Sequence, residues 1–178
     1  MKSVLISILP HWALLIAEGK KTVEVRKTKP KLETPFKCYI YCTKDFSRGT
    51  LYKKPLDLEN AEILQGKVIG EFVCDEIIKV GNYQEVDYSY MLWVKDKETT
   101  EEFCKNACLD EFSIQNYLGA KGGYGWHISN LVIYDKPREL SEFEKPREYI
   151  HINYRKRNSY FKGITRPPQS WCYVESEG

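Results

Sequence analysis

Lys20, Lys21, Thr22, Glu24 and Arg26 stand within seven consecutive residues, and no other stretch of the chain gathers so many groups suited to chemistry. A lysine held against a partly desolvated wall loses proton affinity and can act as a base, while Glu24 can orient it or take a proton. Thr22 can hold a water or a substrate carbonyl. The same residues also fit a plainer role. Lys20 and Lys21 would then complement a helix C-terminus, and Glu24 and Arg26 would form an exposed ion pair contributing less than about 1 kcal/mol.

The elements that must position these groups are legible nearby. Pro10 suits the first position of a helix, where its missing N–H costs nothing, and Gly19 suits the left-handed residue just past the last turn. The two bracket a short helix. After the glycine, Val23 and Val25 alternate with Thr22, Glu24 and Arg26, the period of a strand with one apolar face and one polar face.

Elsewhere, Val4 to Leu9 predicts a first strand and Phe36 to Cys42 a third, with Lys27 to Pro35 a loop between strands. Asp45 to Gln65 has poor periodicity and reads as an inserted connection. Lys67 to Val80 predicts one long strand or a bent strand pair. Glu101 to Ala107 and Asp110 to Leu118 carry helical spacing, with Gly119 closing the second. Tyr124 to Asp135 predicts a strand that Pro137 ends. The alternation of strands with one early and two late helices implies an α+β domain built on a small, mixed, bent sheet or barrel.

Composition bounds the function classes. At 178 residues and 42% apolar content the chain fits one domain with a real core. The sequence contains no run of about twenty apolar residues and no signal-peptide pattern, which predicts a cytoplasmic protein without a membrane partner. Six cysteines, at 38, 42, 74, 104, 108 and 172, lack the two-residue spacing of zinc knuckles, so reduced core thiols are expected and no metal or other cofactor. Net charge is only +2, but residues 145 to 166 carry seven Lys or Arg against one acidic residue, interleaved with Tyr149, Tyr154, Tyr160 and Phe161. Such a segment can contact phosphates and stack on bases, or it can be a solvated tail packing its tyrosines on the domain.

The common catalytic signatures are missing. Gly-Ala-Lys-Gly-Gly-Tyr-Gly at 119–125 matches neither a P-loop nor a dinucleotide fingerprint and reads as a flexible hinge or mouth loop. No serine sits in a nucleophile elbow. His127 and Ser129 would share a strand face, but the sequence assigns no acid to orient the histidine.

Residues 8 to 30, centred on Gly-Lys-Lys-Thr-Val-Glu-Val-Arg, resemble the ASCH domain family of the PUA-like superfamily. Gly-Lys-Val-Ile-Gly-Glu at 66–71 and Ile-Tyr-Asp-Lys-Pro-Arg-Glu-Leu at 133–140 extend the resemblance. It implies a β-barrel with a cleft beside the first helix and a role in binding RNA or a modified nucleobase. The family motif would map onto Gly19, Lys20, Lys21, Thr22, Glu24 and Arg26. In a binding module, Trp126 or Tyr41 would be the stacking wall, Thr22 and Glu24 would read the base edge, and Lys20, Lys21 and Arg26 would meet phosphate, with Lys121, Arg155, Arg157 and Trp171 as further contacts.

Some small family members resemble amidohydrolases of acetylated cytidine that use a lysine, a threonine and a glutamate. Lys21 aligns with their lysine, but Glu24 stands where their threonine falls. By that resemblance Lys21, Thr22 and Glu24 are the candidate catalytic set of an alternative enzyme reading, ranked behind binding. A protein-interaction scaffold is the third reading. Residues 1–143 are expected to form the domain and 144–178 an extension packing on it, in which Trp171 either staples the tail to the domain or stacks on a ligand. Glu71 and Glu76 are both open candidates for the pocket.

Overall fold

Pro10 opens the first helix as its spacing predicts, and Gly19 closes it at φ +70°. The computed structural model describes residues 2–45, 63–84, 90–95, 99–146 and 163–175. In chain order the strands are β1 (Lys2–Ile8), β2 (Val23–Arg26), β3 (Phe36–Cys42), β4 (Lys67–Cys74), β5 (Ile77–Gln84), β6 (Tyr90–Val94), β7 (Gly123–His127), β8 (Ser129–Glu139) and β9 (Trp171–Glu175). The helices are α1 (Pro10–Ala17), α2 (Thr100–Ala107) and α3 (Glu111–Leu118), with a 3₁₀ turn at Leu140–Glu142.

The strands form a five-stranded sheet in the order β8-β4-β3-β1-β9 and a four-stranded sheet in the order β2-β7-β5-β6. The fold is thus mixed α+β with two sheets. The pairings among the described residues do not close these sheets into the single barrel expected above. Contacts divide the chain into two compact units. One draws on Met1–Ala13, Lys37–Phe72 and Val132–Gly178, the other on Leu14–Phe36 and Val73–Leu131.

In the first unit β1 and β3 run parallel, Val4 opposite Cys38 through Ile8 opposite Cys42. Parallel neighbours need a crossover, which α1 and β2 supply in sequence. β9 then adds to the other side of β1 antiparallel, Ile6 opposite Trp171. β1 and β3 are nearly continuous apolar runs, as strands buried on both faces require. Leu5, Tyr39, Val68, Phe143 and Val174 form the core here.

In the second unit Val23, Val25, Ile78 and Val80 of the four-stranded sheet pack against Phe103 and Ala107 of α2 and Ile114 and Leu118 of α3. Gly125 makes this possible, because a Cβ there would sit 2.5 Å from Cε2 of Phe103. Only a bare backbone lets that ring lie on β7. Helix α2 starts on a reciprocal cap, the Thr99 side chain accepting from Glu102 N–H while the Glu102 carboxylate accepts from Thr99 N–H.

Of the two readings of Lys67 to Val80 the strand pair holds, with β4 and β5 belonging to different sheets. Two sequence expectations change. Tyr124 to Asp135 is also two strands, broken at Ile128, and Pro137 lies inside β8 instead of ending it. β8 is an edge strand, the place in a sheet where proline is tolerated. The glycine-rich stretch is a loop only to Gly122, since Gly123 and Gly125 are residues of β7. Most of the Asp45–Gln65 connection, residues 46–62, lies outside the described residues. No described helix is long and apolar enough to cross a membrane.

Candidate functional site

The left-handed turn at Gly19 lets two successive amides, those of Lys20 and Lys21, both donate to the Leu15 carbonyl at 2.9 and 3.1 Å. That turn aims the Lys21 ammonium inward, where it donates to the Ala107 carbonyl at 2.6 Å. Ala107 is the last residue of α2, so Lys21 complements the carbonyl end of that later helix, not of α1. Thr22 N–H donates to the neighbouring Asn106 carbonyl at 2.9 Å.

From there a charged row runs along β2. Lys21 Nζ is 3.4 Å from Glu24 Oε2, and Arg26 donates to Glu24 Oε1 across 3.0 Å. One carboxylate is therefore held between an ammonium and a guanidinium. All three are buried, at 2%, 6% and 7% exposure for Lys21, Glu24 and Arg26, which overturns the expectation of an exposed ion pair. Charges so placed stand only while each is matched, because removal from water costs several kcal/mol per ion.

Strand register fixes what shares this face. Glu24 lies opposite Trp126, and Arg26 opposite Tyr124. On the next strand Ile77 lies opposite Trp126 and Lys79 opposite Tyr124. Directly paired residues project to the same side, so Glu24, Arg26, Trp126, Tyr124 and Lys79 line one face of the sheet, and the valines line the α2 face. Trp126 is fully buried and meets the Phe36 ring edge-on at 5.9 Å. Lys79 and Lys29 both stand over the Tyr124 ring, at 4.5 and 5.7 Å. Thr22, half-buried at the head of the row, is its most accessible member.

The histidine for which the sequence offers no acid has one. His127 Nδ1 lies 2.7 Å from Asp75 Oδ1. Burial pushes the Asp75 carboxyl up, but the His127 hydrogen bond, with help from its own amide and Ser129, brings it below the ordinary aspartate value. The Ser129 hydroxyl donates to the Val73 carbonyl at 2.9 Å and supports Asp75, contacts that tie it to the β4–β5 bend instead of to the imidazole. The histidine opens on a cleft of about 450 Å³ lined also by Glu76, Ile78, Lys95, Glu102, Lys105 and Asn106. Asp75 and His127 are 52 residues apart, and no local spacing signals the pair.

Other predicted site residues are dispersed. Tyr41 belongs to the first unit and lines a cleft of about 560 Å³ there. Neither cleft is lined by Lys21, Glu24 or Arg26. Lys20 is exposed and pairs with Glu18 at 2.7 Å. Lys121 is exposed in the turn before β7. Trp171 sits in β9 with its ring edge-on to Tyr173 at 5.4 Å. Arg155 and Arg157 lie outside the described residues.

Of the two open glutamates, Glu76 lines the histidine cleft. Glu71 is taken up by Lys37 at 2.7 Å and the Tyr134 hydroxyl at 2.6 Å. Cys38, Cys42 and Cys74 are buried core thiols, and burial pushes Cys42 and Cys74 up to about 12. Among the described residues no group of three His, Cys, Asp or Glu is arranged to hold a metal ion.

The ASCH domain family model matches residues 6–111. The chain belongs to the ASCH domain family. It is similar to the crystal structure of ASCH from Zymomonas mobilis at 20% identity and a TM-score of 0.56, over 97% of this chain and 87% of that one. A tyrosine-to-phenylalanine variant of the same bacterial protein superposes with a TM-score of 0.57 at 20% identity, over 98% and 91% of the two chains. At that identity the likeness speaks to the fold alone. No protein of curated function matches the sequence.

Proposed function

We propose that this ASCH protein binds RNA or a modified nucleobase through the charged, aromatic face of its four-stranded sheet. The observation that carries the reading is the Glu24 carboxylate, clamped by Lys21 and Arg26 directly across the strand pair from Trp126. A fixed carboxylate accepts from the amino edge of a base, and the fully buried Trp126 backs that carboxylate from within the sheet rather than offering a stacking face. Thr22 is the member of the row through which a ligand first meets it. Retaining three buried charges within six residues makes little sense for stability alone, since apolar residues of similar volume serve as well or better. In this reading residues 1–143 carry the binding face, and the stretch from 144 onward contributes β9 to the five-stranded sheet.

The amidohydrolase alternative asks Lys21 to take a proton from water while Glu24 shuttles it. The Ala107 carbonyl and the Glu24 carboxylate beside Lys21 are both acceptors, so the ammonium is engaged as a donor. Binding asks nothing more of it, and the contacts favour binding.

A thermal-shift screen of nucleosides, acetylated cytidine and short single-stranded RNAs tests the proposal. A ligand of the native state raises the melting temperature, by the equivalent of about 2.7 kcal/mol at a hundredfold excess over Kd. The expected result is stabilisation by at least one base-bearing ligand, lost in Thr22→Val. Release of acetate from acetylated cytidine, abolished in Lys21→Ala, would establish the enzyme instead. Neither stabilisation nor turnover would leave the row a structural brace.

A further inference from the structure

The cleft beside His127 lies apart from the charged row, and every residue lining it belongs to the second unit. Its base is preset. Asp75, whose carboxyl titrates below the ordinary aspartate value, only accepts as a carboxylate. Nδ1 of the neutral imidazole, 2.7 Å from Asp75 Oδ1, is therefore the nitrogen that carries the proton, and Nε2 keeps the lone pair. Such a ring is ready to take a proton, with a carboxylate behind it to stabilise the cation that results.

The other residues of the cleft say what that base acts on. Among the described residues lining it none is a serine, threonine or cysteine, so the base is matched to water instead of to a side-chain nucleophile. Lys105 and Asn106, from the end of α2, supply an ammonium and an amide, the kinds of donor that stabilise an oxyanion. Two carboxylates also line the cleft. Glu102 is committed to the start of α2, where it accepts from the Thr99 amide and hydroxyl, each at 3.0 Å. Glu76 has a different place: His127 N–H donates to its carbonyl at 3.0 Å, so the two residues adjoin and both line the cleft. A carboxylate next to the base suits a substrate whose cation is next to its reacting carbon. In an α-amino-acid ester one carbon separates the ammonium from the ester carbonyl. At about 450 Å³, with Ile78 as an apolar wall, the cleft takes a molecule of that size.

We propose that His127 and this cleft form a hydrolytic site for esters of α-amino acids. Nε2 takes a proton from water as the water oxygen bonds to the carbonyl carbon, and the carbonyl electron pair moves onto its oxygen beside Lys105 and Asn106. The ester C–O bond then breaks, and the imidazolium returns the proton to the departing alkoxide. One water is consumed, the amino acid and the alcohol are released, and the neutral imidazole is restored. Glu76 holds the α-ammonium. Asp75 is a positioning residue that fixes the tautomer and supports the imidazolium. No residue of the charged row takes part, so the proposal stands or falls separately from the RNA reading.

Alanine para-nitrophenyl ester and para-nitrophenyl propionate differ only in the ammonium, and release of nitrophenolate by the full chain is followed by absorbance. Each rate is divided by its own uncatalysed rate. The wild type should accelerate the alanine ester about tenfold more than the propionate, and Glu76→Gln should remove that preference. His127→Asn keeps a donor for Asp75 while removing the base, and should lower the acceleration by about 10²–10⁴. Asp75→Asn should lose most of the acceleration and Asp75→Glu should recover it.

Turnover that survives His127→Asn, or no turnover above the uncatalysed rate in the wild type, overturns the site. Equal acceleration of the two esters, or a preference untouched by Glu76→Gln, overturns the amino-acid assignment. Equal losses in Asp75→Asn and Asp75→Glu overturn the positioning role.

Discussion

Two strands of this ASCH protein are almost wholly buried and differ sharply in what they bury. β1 hides Val4, Leu5, Ile6 and Ile8, with Ser3 and Ser7 as its buried polar members. Ser7 is matched by one hydroxyl bond to the Pro168 carbonyl at 2.7 Å. β2 hides two valines together with Glu24 and Arg26, and is led into by the buried Lys21. Burial of β1 follows from hydrophobic transfer alone. Burial of β2 requires each charge to find its partner, so its stability hangs on mutual pairing.

The largest break in the contrast is Glu24→Ala. It strands an ammonium and a guanidinium without their shared carboxylate, and should lower stability by about 3–5 kcal/mol in urea denaturation. Lys21→Met is milder, because Glu24 keeps Arg26 and the methionine fills the space; about 1–3 kcal/mol is expected, from the Ala107 carbonyl left without its donor. Ser7→Ala, the matching change in β1, should cost about 1 kcal/mol, the net value of a single neutral hydrogen bond. If Glu24→Ala and Ser7→Ala cost the same, the distinction between the strands is lost.

The smallest effect is at the Asp75–His127 pair, where both side chains are partly exposed, at 45% and 39%, and salt screens the interaction. The Asp75 carboxyl titrates lower in the folded chain than in the unfolded one. Its contribution is thus complete above the ordinary carboxylate value of about 4 and is lost as pH falls through the lower folded value. Melting temperatures measured across that acid limb should fall less steeply in Asp75→Asn, and the difference should shrink at high salt.

Local pattern carried much of this architecture. Pro10, Gly19 and the Val23–Val25 alternation place α1 and β2 within a residue or two, and Gly119 ends α3 where expected. What pattern could not carry was the environment of a polar face. Glu24 and Arg26 read alike whether the strand's second side meets water or protein, and only tertiary packing distinguishes them. The Ala107 carbonyl that receives Lys21 is 86 residues away, and Asp75 is remote from His127 in the same way. Pro137 misled because edge position is a property of the sheet, not of the strand. Tyr41 and Trp126 are alternative stacking walls by residue type alone, whereas the fold assigns them to different units.

The central claim, that the β2 row reads a base, is tested most directly by calorimetric titration of a short single-stranded RNA into the wild type and Thr22→Val. Thr22→Val spares every buried charge, so both proteins should melt alike. The account predicts that the variant binds about tenfold more weakly. Equal affinity in the two proteins, or no binding by the wild type, would contradict it.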